Sequence, residues 1–299
     1  MTDTLMLFLK TILFRPYVFV FVGTYLVLST HLIGWRRTGL FFGITWITAF
    51  LSEFSSTRTG FPFGWYHYTA STVGQELFVS NIPFMDSLSF TFLLYASYCL
   101  ALSFLLPTHT EGSSNDASSR DSELLGLILN RSIRTSWPAI LLSTLFFVFL
   151  DMVIDPVALR GDRWFLGKIY DYPSPGLHFG VPVTNYAGWA VVGMSALGIY
   201  AHVDRRLPGL EQREQESVTN QILLGCSLYY GVLLFNLTMT FWIDEPLLGM
   251  NGILLYIPLT VLLLLRLLGK IPASAEKDGA IRPRSFPREM ALSRVVRWR

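Results

Sequence analysis

Two carboxylates interrupt an otherwise apolar run, Leu145-Phe146-Phe147-Val148-Phe149-Leu150-Asp151-Met152-Val153-Ile154-Asp155-Pro156. An ionisable group in so apolar a segment is costly enough to need a reason. Spaced four apart, Asp151 and Asp155 share one face of a helix at about 5 to 6 Å. At an effective dielectric of about 20, two charges roughly 6 Å apart repel by about 3 kcal/mol, so one of the pair should hold a proton near neutral pH. Pro156 should push Asp155 out of the helical region and end the helix there, beside the negative end of the macrodipole, which favours the neutral acid further. A carboxylic acid kept neutral in an apolar place is equipped to donate a proton.

The chain that must position this pair is 52% hydrophobic, 15% aromatic and only 15% charged over 299 residues. Its mean hydropathy of +0.44 is too high for a soluble domain of this length. The expected fold class is all-α, a polytopic integral membrane helical bundle of about seven transmembrane helices. Apolar stretches near the roughly 20 residues that span a bilayer run over Tyr17 to Ile33, Leu40 to Phe54, Pro83 to Leu106, Trp137 to Ile154, Val183 to Ala201, Gln221 to Ile243 and Gly249 to Leu268. The second is short and polar at its end, so six spans with one re-entrant or tilted segment is the alternative. Of the 23 Lys and Arg, 17 gather at the ends of the first, third, fifth and seventh stretches. The positive-inside bias then predicts an outside N-terminus and a cytoplasmic C-terminus.

Residues 1–269 read as a single transmembrane helical domain. Met1 to Pro16 lacks a basic start before an apolar run, so no cleavable signal is expected there, and its pattern suggests an interfacial helix. Thr108 to Glu123 is polar and Ser-rich, the composition of a disordered cytoplasmic loop. Residues 270–299 read as a basic cytoplasmic tail. Its end from Arg288 could form a helix on anionic lipid, each cation contributing about 1 kcal/mol, or simply be solvated. Cys99 and Cys226 both fall inside predicted spans and support neither a disulfide framework nor a metal cluster. No His spacing suggests a metal site either.

In the seven-helix layout the second, fourth and sixth helices run outward, and each finishes with acids: Glu53, then Asp151 and Asp155, then Asp244 and Glu245 before Pro246. The next helices start on the same side with Asp86 and with Thr184-Asn185-Tyr186. The site is therefore expected near these ends, open sideways to lipid, with Asp244 and Glu245 reading mainly as a solvated helix end. The loop Arg58 to Thr69 combines turn-forming glycines and Pro62 with Trp65, Tyr66, His67 and Tyr68, whose apolar bodies carry polar tips. These four read either as a pocket wall around an apolar ligand or as an interfacial aromatic belt. Arg160 is expected to neutralise an acid of the pair. Asn185, at a helix start, suits capping or orienting water equally.

Three ordered blocks resemble the signatures of a membrane carotenoid-biosynthesis family that includes the gamma-carotene and bisanhydrobacterioruberin hydratases. The first is Glu53 through Thr69 with Gly60-Phe61-Pro62-Phe63-Gly64 and Tyr66-His67-Tyr68-Thr69. The second is Asp151 through Pro156 with Arg160 and Trp164, and the third is Gly180-Val181-Pro182 with Asn185, Gly188 and Trp189. Three departures bear on substrate choice: Phe90 stands where a Trp is expected soon after Ile82-Pro83, Leu166 stands where a second aromatic is expected near Trp164, and Tyr170 to Phe179 reads as an insertion.

The resemblance implies a hydro-lyase that adds water across the terminal carbon-carbon double bond of an acyclic carotenoid end group. An unactivated trisubstituted alkene offers only its π electrons, so hydration must begin with protonation by a neutral acid, which the aspartate pair supplies. The tertiary cation would meet faces of Trp65, Tyr66, Trp164 or Tyr186, with cation-π attraction of about 2 kcal/mol or more when desolvated. Water held by Glu53, His67 or Asn185 would capture it. Asp155 is the expected donor and Asp151 its partner, exchangeable in a jointly titrating pair, with Glu53 as base or water holder. Tyr68, Arg160 and Trp189 complete the expected substrate pocket. No redox or nucleotide cofactor and no metal are expected. The expected partners are an acyclic carotenoid, the bilayer and other enzymes of the pathway, with no nucleic acid, in the inner membrane of a prokaryote. Two other readings stay open: a prenyltransferase, since Asp at i and i+4 is half of a magnesium-diphosphate site although no second Asp-x-x-x-Asp occurs, and a carotenoid or lipid carrier in which the acids serve packing.

Overall fold

A computed structural model describes residues 2–106, 129–208, 210 and 215–268. The Ser-rich segment 108–123 and the tail 270–299 lie outside the described residues. The elements in chain order are α1 (Thr2–Phe14), α2 (Pro16–Ile33), α3 (Trp35–Thr59), β1 (His67–Tyr68), β2 (Phe78–Val79), β3 (Ile82–Pro83), α4 (Phe84–Leu105), α5 (Arg131–Arg134), α6 (Trp137–Ala158), β4 (Tyr170–Asp171), α7 (Val183–Asp204), α8 (Gln215–Trp242) and α9 (Pro246–Leu267). The architecture is all-helical apart from these two-residue strands.

Each apolar stretch of the sequence falls on one long helix, from α2 to α9 with α5 omitted. Five of them, α2, α4, α6, α8 and α9, are long and apolar enough to cross a membrane. The other two, α3 and α7, are diluted: α3 carries Arg36, Arg37, Glu53 and Arg58, and α7 spends positions on Thr184, Asn185, Gly188, Gly193 and Ser195.

The bundle is organised around α4, which packs against α2, α3, α6 and α8 and buries residues on every side, including Tyr95, Ala96, Ser97, Cys99 and Ala101. A helix that is apolar all round belongs in such a place. The helices α3, α4, α6 and α7 close into a ring through the α3–α4, α4–α6, α6–α7 and α3–α7 contacts. The ends of α3 and α6 and the starts of α4 and α7 meet at one end of this ring.

Pro156 does not end α6, contrary to the sequence expectation. The helix continues to Ala158, and Leu159 N–H donates to Asp155 O at 2.9 Å. A proline in the last turn removes only its own backbone donor. The carbonyl of Pro156 is taken by Arg160 Nη1 at 2.8 Å. Asp155 therefore stays on the helical face it shares with Asp151.

Candidate active site

Two short segments roof the acid-bearing end of the ring. β1 pairs antiparallel with β4, Tyr68 opposite Tyr170 and His67 opposite Asp171. Side chains alternate along a strand and register partners share a face. Tyr66 and Tyr68 from one segment and Tyr170 and Tyr172 from the other therefore point inward together, while His67 and Asp171 face away. The first segment is seated on α7 by Phe63: a Cβ at Gly188 would stand 2.7 Å from Phe63 Cα, so only glycine admits the loop there. Burial pushes the hydroxyls of Tyr66, Tyr68, Tyr170 and Tyr172 well above the ordinary tyrosine range, so all four remain neutral donors.

Beneath the tyrosines the helices present four carboxyls. Asn185 Nδ2 donates to Asp151 Oδ2 and to Asp155 Oδ2, each at 2.7 Å, and so clamps the pair. Tyr170 donates to Asp155 Oδ1 at 2.9 Å and Tyr172 to Asp155 Oδ2 at 3.0 Å. Asp151 Oδ1 is buried with no hydrogen-bond partner among the described residues, so the shared Asn185 amide is what ties the two carboxyls together. Across the cavity Tyr68 donates to Asp86 Oδ2 at 2.7 Å, and the Ser87 hydroxyl donates to Glu53 Oε2. Glu53 and Asp151 are fully buried, and Asp155 nearly so. None of the four carboxyls makes an ion pair among the described residues.

Two cavities meet at this cluster. A small polar chamber is lined by Glu53, Asp86, Asp155, Asn185 and the four tyrosines. A larger, mostly apolar cavity lies beside it between α2, α4, α6 and α8, lined by Tyr17, Phe21, Trp164 and Phe235. Asp86, Phe90, Asp155, Tyr170 and Trp189 line both. The rings of Phe90 and Trp189 stack at 4.4 Å between centroids, so the junction presents two carboxyls and two aromatic faces. A polar chamber that shares a wall of acids and aromatic rings with an apolar cavity suits proton transfer to an apolar unsaturated ligand.

The residues singled out by sequence divide accordingly. Asp151, Asp155, Glu53, Tyr66, Tyr68 and Asn185 gather at the acid cluster, and Trp164 and Trp189 line the apolar side. Asn185 is not the cap of α7, a position held by Pro182. Trp65 is 60% exposed and His67 is exposed as well, so neither reaches the cavities. Tyr186 bonds His178 Nδ1 instead. Arg160 does not neutralise the aspartate pair: its Nε pairs with Glu245 Oε1 at 3.0 Å, which Arg163 also contacts, and Nη1 meets the Phe179 carbonyl at 3.2 Å. This corrects the expectation for Arg160 and for a solvated Glu245. The site also contains Tyr170 and Tyr172, which sequence reasoning does not assign to it, and Asp86, which it places at this end without a role. Tyr66-His67-Tyr68 and Tyr170-Asp171-Tyr172 share a period of two, the one signal that would have aimed both tyrosine pairs at a common face.

The family model of carotenoid biosynthesis proteins matches residues 8–259. The bisanhydrobacterioruberin hydratase of Haloarcula japonica is 29% identical over 247 residues, covering 80% of this chain and 71% of that protein. No solved structure matches the chain. The family match begins within α1, ends within α9 and includes every residue that lines the two cavities. By that match this chain belongs to the carotenoid biosynthesis protein family.

Proposed function

We propose that this protein is a carotenoid hydratase, which adds water to the terminal carbon-carbon double bond of an acyclic carotenoid end group. The observation that carries the reading is the shared wall of the two cavities, where Asp86, Phe90, Asp155, Tyr170 and Trp189 stand between a polar chamber and an apolar cavity. The polyene lies in the apolar cavity with its end group at the junction. The proton shared within the Asp151–Asp155 pair passes through Asp155 to the less substituted alkene carbon, and the tertiary cation forms against Trp189 and Phe90. Tyr170, Tyr172 and Asn185 then give the Asp155 carboxylate three hydrogen bonds, which favours release of the proton. Glu53, oriented by Ser87, holds water in the polar chamber, from which the cation is captured. The family membership and the hydratase relative point to the same chemistry.

In this reading the chain crosses the inner membrane of a prokaryote seven times, with the N-terminus outside and the C-terminus cytoplasmic. The distribution of Lys and Arg supports that orientation, which turns the acid end outward. Other enzymes of the pathway deliver the acyclic carotenoid through the bilayer. The test is expression in cells that accumulate lycopene or another acyclic carotenoid, followed by chromatography and mass spectrometry of the pigments. Products heavier by one or two waters are expected. Unchanged pigment in membranes that contain the folded protein would overturn the reading.

A further inference from the structure

We propose that Asp86 is a catalytic residue, the base that takes the proton from the attacking water. The inference rests on the hydration reading above and adds the group that completes its second half. Of the carboxyls in the cluster, Asp86 and Asp155 line both cavities, whereas Glu53 lines the polar chamber alone and Asp151 lines neither. A water that attacks a cation at the junction must touch the junction, and Glu53 stands behind it with Oε2 occupied by Ser87. Asp86 is partly open to the cavities. Tyr68 donates to its Oδ2 at 2.7 Å, which fixes the carboxyl plane and leaves Oδ1 for the water.

The two junction carboxyls come from different helices, Asp155 from the end of α6 and Asp86 from the first turn of α4. The acid and the base thus approach the end group from separate walls. The bonds balance as follows. A C–H bond forms with the proton from Asp155 and leaves a tertiary cation and a carboxylate. Water oxygen then bonds to the cationic carbon, and one of its O–H bonds breaks as Asp86 takes the proton. That proton returns to Asp155 through the water of the chamber that both line, so the net change is one water added and neither carboxyl is altered.

Deuterium separates the two half-reactions. Membranes containing the full-length protein are incubated with lycopene in D2O, and both the alcohol and the recovered olefin are analysed by mass spectrometry. Wild type should give deuterated alcohol. In Asp86→Asn, alcohol formation should fall by about 100-fold or more, while the recovered olefin gains deuterium, because Asp155 still protonates the alkene and the cation reverts. Asp86→Glu should restore part of the alcohol, and Asp155→Asn should yield neither alcohol nor labelled olefin. Alcohol formation near the wild-type rate in Asp86→Asn would overturn the role of Asp86 and leave the hydration reading standing. Loss of both label and alcohol in folded Asp86→Asn would overturn it too, since the residue would then serve the protonation step. Absence of alcohol and label in wild type would overturn hydration itself, and this inference with it.

Discussion

Asp204, at the end of α7, and the Asp151–Asp155 pair, at the end of α6, are buried to similar degrees at opposite ends of the bundle, yet their surroundings have opposite chemistry. The Asp204 carboxylate sits between Arg37 Nε and Arg134 Nη1, each at 2.5 Å. The same arginines and their neighbours fasten the surrounding turns: Arg37 reaches the Pro208 carbonyl, Arg131 the Leu207 carbonyl at 2.9 Å, and Arg205 the Thr135 carbonyl. The two cations occupy both oxygens of that carboxylate, which serves to fasten the turns. The other end supplies tyrosines, an asparagine, a serine and other acids in place of cations. In the proposed mechanism one carboxyl of the Asp151–Asp155 pair keeps a proton. Arg15 and Glu76 mark the boundary, a buried pair at 2.9 Å whose arginine also meets the Leu166 carbonyl at 2.6 Å. That pair pins the loops beside the cluster without entering it.

If the comparison is right, equivalent amide substitutions at the two ends should fail in different ways. The largest effect is expected for Asp155→Asn, a loss of hydration of about 10²- to 10⁴-fold, the usual contribution of a general acid, with the folded protein recovered in normal yield. Asp204→Asn should instead destabilise the protein by about 3 to 5 kcal/mol, because it leaves two buried arginines facing a neutral amide. Thermal unfolding in detergent should report that loss, and turnover per folded molecule should be unchanged. Equal loss of turnover at both positions would erase the distinction.

Smaller changes sharpen it. Tyr170→Phe and Tyr172→Phe each remove a hydrogen bond to the Asp155 carboxylate, worth about 1.5 to 3 kcal/mol, so turnover should fall by roughly 10- to 100-fold in each while the melting temperature barely moves. The smallest effect belongs to the rim. Partial burial pushes the Glu245 carboxyl up, but Arg160 and Arg163 outweigh it and hold it below the ordinary glutamate range. Its contribution to stability is therefore present above a pH of about 4.3 and fades as the pH falls through the lower folded value. Glu245→Gln should lower stability by less than about 1 kcal/mol and abolish that acid-side dependence, measurable by unfolding at two pH values.

Much of this arrangement could be read from residue spacing. Each apolar stretch falls on a long helix, five of them apolar enough to cross a membrane, and Asp151 and Asp155 at i and i+4 announce a shared face. Glu53 at the end of a neighbouring helix completes the convergence. What escaped depends on tertiary choice. Whether a helix runs on past a proline near its end depends on the packing beyond it, and here the bond from Leu159 N–H to Asp155 O persists. The partner of Arg160 is Glu245, about 85 residues downstream and invisible to local spacing. Spacing places Asp86 at the acid-bearing end but gives it no role, because its contact with Tyr68 is set by the tertiary fold. Trp65, Tyr66, His67 and Tyr68 form one aromatic run in sequence, and only the pairing of β1 with β4 sorts the two tyrosines inward from His67.

The central claim is that a buried carboxyl of the Asp151–Asp155 pair carries a proton at neutral pH. Infrared spectroscopy of the protein in membranes tests it directly. The account predicts a protonated-carboxyl band in wild type that shifts in D2O and disappears when Asp151 and Asp155 are both replaced by Asn. A spectrum without such a band, or one left unchanged by the double replacement, would contradict it.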